Sequence, residues 1–374
     1  MSTLNFAKAV LIIGLVTSFG STPVHAMSWW ERWRNFLLEW DTDSIVIRPH
    51  ENLRASPIFL DRDDIRDVHF YLFTDPENPD FMQEVHIDDP TQSSLEAWDP
   101  SVPTKIIVHG FIQNINATFP QNVKNAYLKR SKDTGQKYNI LVVDWGRLAY
   151  QLQDGVPVYT RAVRNVEKVG TRIGELVMYL HSLDLVTPSS LHLIGQSLGA
   201  HVVGQAGHWL QEQKPTPFLV ARITGLDPAG PLFYTGLVGR LLKTEDAAFV
   251  DVVHCNPGGL GVVAPAIVGP KLGTVEFYVN WDPLTHLQPQ CVSLGHVITE
   301  KEGWMLCSHN YCPKFFAWSI ITKLEARQCY GVKVHPTGCV GPYARFGEDL
   351  STSEQGMFFI KIQNKLDDMQ LFMP

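Results

Sequence analysis

The 374-residue chain contains no block of like charge, no internal repeat and no low-complexity tract. Its formal net charge is −7, and its Lys and Arg residues form no cluster, which argues against a nucleic-acid ligand and against a polybasic membrane binder. After residue 26, no apolar run is long enough to cross a bilayer whose hydrocarbon core is about 30 Å thick. What remains is a globular chain that is long enough for one large domain.

The first 26 residues have the pattern of a secretory signal. Lys8 precedes an apolar run at 9–16, and a small-residue exit ends the segment at Ala26. The apolar run is too short for a membrane anchor. We therefore expect a secreted, extracellular protein in which residues 1–26 are removed and residues 27–374 fold as a single domain.

Cysteine is absent from the first 254 residues, and all six cysteines lie in the last third of the chain. In a secreted protein these cysteines are expected to form disulfides. Six cysteines allow fifteen pairings, and sequence alone does not choose among them. The single N-glycosylation sequon, at Asn116, fits a secreted chain and predicts a surface loop.

Short apolar runs alternate with segments of helical periodicity along the middle of the chain. Unbroken runs of Val, Ile and Leu are typical of strands buried on both faces, as in a parallel sheet covered by helices. The sequence therefore predicts an α/β fold with a mostly parallel central sheet and helices on both faces. The predicted strands are 105–108, 139–143, 191–194, 222–225 and 248–253, and the predicted helices are 119–130, 163–181 and 200–213.

Ser197 lies in the sequence Gly195-Gln196-Ser197-Leu198-Gly199, between a predicted strand and a predicted helix. This strand–turn–helix context is the one in which a G-x-S-x-G motif forms a nucleophile elbow. The glycines leave space where a Cβ would collide with the neighbouring strand and helix. At a helix N-terminus, backbone N–H groups and the helix dipole favour developing negative charge. The motif predicts Ser197 as a nucleophile.

A serine nucleophile needs a base, and the base needs an acid that orients it. In α/β hydrolases the three residues follow in the order serine, acid, histidine. Asp227 is the favoured acid because it lies where a short strand ends in Pro and Gly, whereas Asp251 is inside a strand and Asp144 precedes the serine. His309 is favoured as the base because cysteines frame it. On this ground alone four other histidines stay open, namely His254, His286, His296 and His335.

Two backbone N–H groups are expected to hold the negative charge that develops on a substrate carbonyl oxygen. One belongs to Leu198, the residue that follows the nucleophile. The other is expected from a loop after an early strand, and the sequence Val108-His109-Gly110-Phe111 fits, since its glycine lets the backbone approach a substrate. Phe111 is therefore the second predicted donor.

Six motifs, taken together and in this order, resemble the pancreatic-lipase family of neutral lipases and phospholipases A1. The resemblance runs from about residue 103 to about residue 344. It implies an α/β-hydrolase fold with Ser197, Asp227 and His309 as the catalytic triad, and with Phe111 and Leu198 as the donors of the oxyanion hole. The motifs are Val108-His-Gly-Phe111, Val143-Asp-Trp145, Gly195-Gln-Ser-Leu-Gly-Ala-His201, Thr224-Gly-Leu-Asp-Pro-Ala229, Val250-Asp-Val-Val-His254 and Cys307-Ser-His309.

The resemblance also implies how cysteines pair. One pair is the disulfide that staples the family's lid across the mouth of the active site, here at about 291–307. A second bridge is expected near the end of the chain. The third pair is our own inference and is not implied by the resemblance: the two cysteines that are left would tie the segment of His309 to the adjacent strand end. The expected pairs are, in that order, Cys291 with Cys307, Cys329 with Cys339, and Cys255 with Cys312.

Three departures from the family pattern bear on the activity. The lid has fifteen residues between its cysteines, which is shorter than in triacylglycerol lipases and longer than in venom phospholipases. Only 65 residues follow His309, too few for the family's C-terminal β-sandwich, so no colipase-type partner is expected. Where the family has a calcium loop, at 236–246, only Asp246 remains in place. Since hard cations need several oxygen ligands, we expect no structural calcium.

These observations predict a secreted carboxylic ester hydrolase that cleaves acyl esters of glycerolipids at a membrane or emulsion surface and needs no cofactor. The lid and the short C-terminal part leave triacylglycerol lipase and phospholipase A1 both open. The alternative is a catalytically silent lipid-binding or storage protein of the yolk-protein type, which resembles this family but lacks the serine. The presence of Ser197, Asp227 and His309 favours the enzyme.

Overall fold

The structure, a computed structural model, describes the chain between residues 64 and 362, with gaps. All described residues belong to the unit Glu51–Pro374. The signal predicted at 1–26, residues 294–300 of the predicted lid and the three histidines His286, His296 and His335 lie outside the described residues. The described residues are 64–150, 152–153, 156–157, 159–233, 239–257, 261, 271–281, 287–293, 301–330 and 338–362.

Eleven of the strands in the described residues form one large sheet, and the two short strands β5 and β6 pair only with each other. The strands are numbered along the chain. They are β1 (His69–Phe73), β2 (Gln83–Val85), β3 (Thr104–Val108), β4 (Asn139–Asp144), β5 (Leu152–Gln153), β6 (Val156–Pro157), β7 (Leu191–Gln196), β8 (Arg222–Leu226), β9 (Phe249–His254), β10 (Val275–Val279), β11 (Glu325–Cys329), β12 (Tyr343–Arg345) and β13 (Gly356–Ile360). The order across the large sheet is β12-β11-β13-β10-β9-β8-β7-β3-β4-β1-β2.

The centre of the sheet is parallel and its edges are antiparallel. Seven neighbouring strands, from β4 through β3, β7, β8, β9 and β10 to β13, run in the same direction. Strands β1 and β2 extend one edge in antiparallel pairing, and β11 and β12 extend the other. Strands β3, β7, β8 and β9 are buried at every residue, as the apolar runs of the sequence predict, and so is β10, which was not predicted.

The helices cover the sheet in two packed pairs. They are α1 (Thr118–Thr134), α2 (Gly146–Ala149), α3 (Tyr159–Ser182), α4 (Leu198–Gln211), α5 (Pro289–Ser293) and α6 (Lys301–Ile321). Helix α3 packs against α4, and α1 packs against α6. The chain moves one way across the sheet from β3 to β4 and the other way from β4 to β7, so right-handed crossovers place α1 and α3 on opposite faces. This arrangement confirms the predicted α/β-hydrolase fold.

The parallel strands bring the predicted site residues to one end of the sheet. The loops that leave the carboxyl ends of parallel strands meet there, which is where open α/β sheets bind their ligands. His109 follows β3, Ser197 follows β7, Asp227 follows β8 and Cys255 follows β9. Within the described residues, no helix combines the length and the apolar character that crossing a membrane requires.

A buried polar network occupies the opposite, amino-terminal half of the same strands. Lys105 Nζ lies 2.6 Å from Glu348 Oε1, and the Tyr127 hydroxyl donates to Glu348 Oε2 over 2.6 Å. Arg222 binds both carboxylate oxygens of Asp251 at 2.8 and 3.0 Å. Because each buried charge has an opposite charge or a hydrogen-bond donor, the network can tie the segment around Glu348 to the sheet without leaving an unpaired ion.

His192 sits inside this network as a neutral ring. The hydroxyl of Thr224 donates to Asp251, so it accepts the Nε2 proton of His192, 2.8 Å away. The other ring nitrogen, Nδ1, accepts from Lys105 Nζ at 3.2 Å. Burial, together with the charges of Lys105 and Arg222, lowers the pKa of His192 to about 3.

We predict that the free energy of unfolding decreases as the pH falls from about 6.5 toward 3, in part through His192. In that window the unfolded chain protonates this histidine and the folded protein does not, which costs the fold about 1.4 kcal/mol per pH unit. The measurement is urea unfolding between pH 6.5 and 4. His192→Gln should give a shallower slope than the parent protein, whereas the control His208→Gln, at a half-exposed ring, should not. Equal slopes for the parent and His192→Gln would contradict the assignment.

Candidate active site

Ser197 joins the end of β7 to the start of α4 in a strained backbone conformation. Its φ of 57° and ψ of −121° lie outside the regions that residues with a Cβ ordinarily occupy. The strain is held by three backbone hydrogen bonds. The N–H of Ser197 donates to the carbonyl of Leu226 at 3.0 Å, and its carbonyl accepts from the N–H groups of Ala200 and Ala229, both at 3.2 Å.

The two glycines of the G-x-S-x-G motif are required by close backbone contacts. A Cβ on Gly195 would lie 2.2 Å from the carbonyl oxygen of Gly199, and a Cβ on Gly199 would lie 2.1 Å from that of Val108. Both contacts are with backbone atoms, which cannot rotate away. The strand, the turn and the helix can approach this closely only because both positions lack side chains.

Asp227 is fully buried and accepts hydrogen bonds on both carboxylate oxygens. Oδ1 accepts the backbone N–H groups of Cys255 and Asn256, at 2.9 and 3.0 Å. Oδ2 lies 2.6 Å from Nδ1 of His309. The backbone N–H of Asp227 in turn donates to the carbonyl of Val253 at 2.7 Å, so the end of β9 fixes the whole residue. Three donors stabilise and orient the carboxylate, and one of them is the histidine that the sequence favours.

His309 is buried in α6, 5% exposed, and disulfides flank it on both sides along the chain. The structure contains three disulfides, which are the expected pairs: Cys291–Cys307, Cys255–Cys312 and Cys329–Cys339. The first two reach α6 two residues before and three residues after His309. Because Nδ1 faces Asp227, Nε2 is the ring nitrogen that remains for a substrate or a nucleophile.

The loop after β3 runs directly against Ser197. A Cβ on Gly110 would lie 2.9 Å from the Cβ of Ser197 and 3.5 Å from its Oγ, so only a glycine allows this approach. The ring of the next residue, Phe111, packs edge-on against Tyr159 with ring centroids 5.0 Å apart. Leu198 is the first residue of α4, where backbone N–H groups have no acceptor within the helix. Both predicted oxyanion donors therefore belong to backbone beside the serine.

His109 fixes the peptide that carries the Phe111 N–H. The N–H of Trp145 donates to His109 Nε2 at 3.1 Å, so the ring proton is on Nδ1, which donates to the carbonyl of Gly110 at 3.0 Å. The carbonyl and the N–H of a trans peptide point in opposite directions. Holding the Gly110 carbonyl toward His109 therefore turns the Phe111 N–H to the other side of the loop.

The described residues among the other candidates have different positions. Asp251 pairs with Arg222 in the buried network, which agrees with its interpretation as structural. Asp144 accepts from the N–H of Gly146 at 2.9 Å and lies beside His109. His254 is buried against Glu276, to which its Nε2 is hydrogen-bonded. Asn116, at the sequon, is exposed.

His201 is a supporting residue to which sequence reasoning gave no role, although it stands in the Gly195–His201 motif. The N–H of Leu242 donates to its Nδ1 at 3.1 Å, so its Nε2 proton goes to the carbonyl of Ala229, 2.8 Å away. Burial lowers the pKa of His201 to about 4, which keeps the ring neutral. The ring therefore joins α4 to the loop that follows Asp227. The feature of the sequence that could have predicted this role is a histidine one helical turn after Ser197.

Within 236–246, where the resemblance places a calcium loop, Arg240 neutralises Asp246, the acid that remains in place. Both guanidinium NH₂ groups of Arg240 contact the carboxylate of Asp246, and the backbone N–H of Lys243 donates to the same carboxylate at 2.8 Å. A Cβ on Gly204 of α4 would lie 2.9 Å from Asp246 Oδ2, so the pair packs directly on that helix. Among the residues that the structure describes, no group of three His, Cys, Asp or Glu side chains is arranged to hold a metal ion.

We predict that Arg240→Met lowers the free energy of unfolding by about 3 kcal/mol at pH 7, because it leaves Asp246 as a buried, unpaired carboxylate. Burial already raises the pKa of Asp246, against the effect of Arg240, so the deficit should shrink as the pH falls and the carboxyl protonates. Urea unfolding measures both effects. The control is Arg345→Met, which removes a largely exposed ion pair with Glu325 and should cost less than about 1 kcal/mol.

Thermal unfolding of the parent protein tests the expectation that no calcium is needed. The melting temperature of the parent protein should be the same with a chelator and with added calcium, since Arg240 supplies the positive charge beside Asp246. Stabilisation of the parent by calcium would contradict this assignment. So would a cost for Arg240→Met no larger than that for Arg345→Met.

Comparisons with known proteins give relatives of one kind. Pancreatic lipase-related protein 2 of Bos taurus is 29% identical over 260 residues, 68% of this chain and 52% of that protein. Phospholipase A1 member A of Rattus norvegicus is 33% identical over 245 residues, 65% of this chain and 46% of that protein. Inactive pancreatic lipase-related protein 1 of Homo sapiens is 26% identical over 333 residues, 84% of this chain and 66% of that protein.

The chain spans about half the length of the first two of these relatives. A protein-family model described as Lipase matches residues 47–337, which include every residue of the site described above. That match covers well over half of the chain. The protein therefore belongs to the lipase family.

Proposed function

We propose that this protein is a serine carboxylic ester hydrolase in which Ser197, Asp227 and His309 form the catalytic triad. The observation that carries the proposal is the 2.6 Å contact between Asp227 Oδ2 and His309 Nδ1, made by a buried carboxylate whose other oxygen accepts two backbone N–H groups. Such an acid holds the imidazole in one tautomer and stabilises the imidazolium that forms during the reaction. The strained turn at Ser197 supports the role of this residue as nucleophile.

The reaction follows from these roles in two steps. Ser197 Oγ attacks the ester carbonyl carbon while His309 Nε2 takes the hydroxyl proton, and His309 then gives this proton to the departing alkoxide. An acyl group remains on Ser197. A water molecule next gives its proton to His309 and attacks the acyl carbon, which releases the carboxylic acid and restores the serine.

The oxyanion of each tetrahedral intermediate is held by the N–H groups of Phe111 and Leu198. The close approach of Gly110 to Ser197 and the first turn of α4 support these two donors. One preorganised donor of this kind is worth about 3 kcal/mol of transition-state stabilisation. The orientation of the Gly110 peptide by His109 is consistent with a donor prepared before the substrate arrives.

The substrates we propose are acyl esters of glycerolipids, presented at a membrane or emulsion surface outside the cell. The names of the relatives support a lipid ester, and they include both a pancreatic lipase-related protein and a phospholipase A1. Three disulfides support a secreted protein, together with the signal pattern at 1–26. Triacylglycerol and phospholipid are therefore the two substrates to compare.

The test measures fatty-acid release by the purified full-length protein from emulsified triacylglycerol and from phosphatidylcholine vesicles. We expect release from at least one lipid, and we expect Ser197→Ala to lower it by roughly a million-fold, since the substitution removes the nucleophile. The control is Ser182→Ala, at an exposed serine near the end of α3, which should leave the rate unchanged. The preferred lipid decides between triacylglycerol lipase and phospholipase A1.

The absence of release from both lipids and from a short soluble ester would overturn the proposal. It would favour a catalytically silent lipid-binding protein, a possibility that the human relative named as inactive keeps relevant. Release that survives in Ser197→Ala would equally contradict the assigned nucleophile.

A further inference from the structure

Three side-chain amides form a continuous chain of hydrogen bonds beside the candidate triad. The backbone N–H of Gly110 donates to Gln113 Oε1 at 2.9 Å. Gln113 Nε2 donates to Gln196 Oε1 at 3.2 Å, and Gln196 Nε2 donates to Asn310 Oδ1 at 3.1 Å. The direction is fixed by the first bond, because a backbone N–H can only donate and therefore requires the oxygen of Gln113.

Each member of this chain is next to, or within two residues of, a residue of the proposed mechanism. Gln113 lies two residues after Phe111 in the loop that follows β3. Gln196 immediately precedes Ser197 at the end of β7, and Asn310 immediately follows His309 in α6. The amides therefore connect three separate elements of the fold at the positions where each presents its reacting group.

The central member of the chain is the best placed to transmit position. Gln196 is fully buried, and both polar atoms of its amide are used within the chain. Gln113 and Asn310 are half-buried at the two ends. Where water is excluded, each hydrogen bond of such a chain polarises the next, so the three hydrogen bonds strengthen one another.

At one end of this chain of hydrogen bonds, the loop after β3 is held through both backbone polar groups of Gly110. The carbonyl of Gly110 accepts from His109, and its N–H donates to Gln113. Rotation of the peptide that carries the Phe111 N–H would break the first bond, and displacement of the loop from Ser197 would break the second. The chain is thus the contact that ties the oxyanion loop to the His309 helix through the strand of the nucleophile.

We propose that Gln113, Gln196 and Asn310 are positioning residues that act as one unit to hold the oxyanion loop, the nucleophile and the catalytic histidine in register. This inference rests on the proposed hydrolase function, and it adds residues that touch neither the reacting bond nor the triad side chains. Catalysis is sensitive to such positioning because a displacement of about 1 Å costs on the order of a hundred-fold in rate.

The experiment compares the steady-state kinetics of Gln113→Met, Gln196→Met and Asn310→Leu in the full chain on a short soluble ester. Each variant should lower kcat about tenfold, which is less than the roughly hundred-fold loss expected when a reacting group is displaced by about 1 Å. KM should stay within about twofold of the parent value, since no substrate contact is removed. The matched control is Gln121→Met, which removes a half-buried glutamine amide that donates to the Ile115 carbonyl at 2.8 Å outside the chain. Its kcat should equal that of the parent.

A double variant tests whether the chain acts as one unit. Gln113 and Asn310 are linked only through Gln196 among the bonds of the chain. Gln113→Met combined with Asn310→Leu should therefore lose about tenfold in kcat, like either single variant, rather than the roughly hundred-fold of independent effects. Full additivity would overturn the proposal of a unit.

A second readout does not depend on activity. Amide hydrogen exchange at Gly110 should become faster in Asn310→Leu, although this substitution lies at the far end of the chain, and should be unchanged in Gln121→Met. An unchanged exchange rate of the Gly110 amide in Asn310→Leu would overturn the inference. So would kcat values of the three test variants that lie within twofold of the kcat of Gln121→Met. A parent protein that hydrolyses no ester would instead overturn the proposed function, and the exchange would still decide whether the chain transmits position.

Discussion

The candidate site depends on one buried carboxylate. Asp227 is fully removed from solvent, and an ionised group in that position is tolerated only when hydrogen bonds replace its water. Two of its donors are backbone N–H groups at the end of β9, and the third contact is His309 in α6. The disulfide between Cys255 and Cys312 joins these same two elements. The acid is thus held by contacts from the strand end and from the helix, two elements that the disulfide also joins.

The two ends of the parallel strands carry different groups of polar residues. The amino-terminal halves hold a closed set of charges around Arg222 and Glu348, which binds the sheet to a later part of the chain. The carboxyl ends of β7 and β8 lead into Ser197 and Asp227 of the proposed triad, and Asp227 contacts His309 of α6. Separating the two keeps the charges of this network away from the position where charge would develop in the proposed ester hydrolysis.

Helix α4 is supported by two sets of polar contacts. Its first residue follows Ser197, so any shift of the helix would move that serine. His201 bonds it to the loop after Asp227, and the pair of Arg240 with Asp246 packs on its middle. The arginine places a positive charge beside Asp246 without an ion from solution, which is the physical basis for the prediction that this helix needs no cation.

The centre of the fold could be predicted from sequence because it follows from local rules. Five apolar runs predicted β3, β4, β7, β8 and β9, and the glycines around Ser197 predicted the close contacts of the elbow. Strands β1, β2, β10, β11, β12 and β13 were not predicted. Strand β11, which lies between β12 and β13, has exposed residues among its buried ones, so its apolar content does not form a run. Its pairing is set by neighbours distant in sequence.

The limits at the site have a similar origin. His309 could not be separated from other histidines by its own neighbours, because its partner Asp227 is 82 residues away in the chain. The link from Gln113 through Gln196 to Asn310 had no motif at all, since it joins three side chains that only the folded sheet brings together. Motifs predicted the groups that we propose to react, and only tertiary contacts reveal the groups that hold them.

The most direct test of the account is covalent labelling of the purified protein with a fluorophosphonate, followed by mass spectrometry of its peptides. Such a probe reacts with a serine that has an activating base. The account predicts one adduct, on Ser197, that forms much more slowly in Asp227→Asn and in His309→Gln, while both variants keep the melting temperature of a folded protein. An adduct on another serine, or labelling of Ser197 at an unchanged rate in Asp227→Asn, would contradict the claim that the buried carboxylate organises this site.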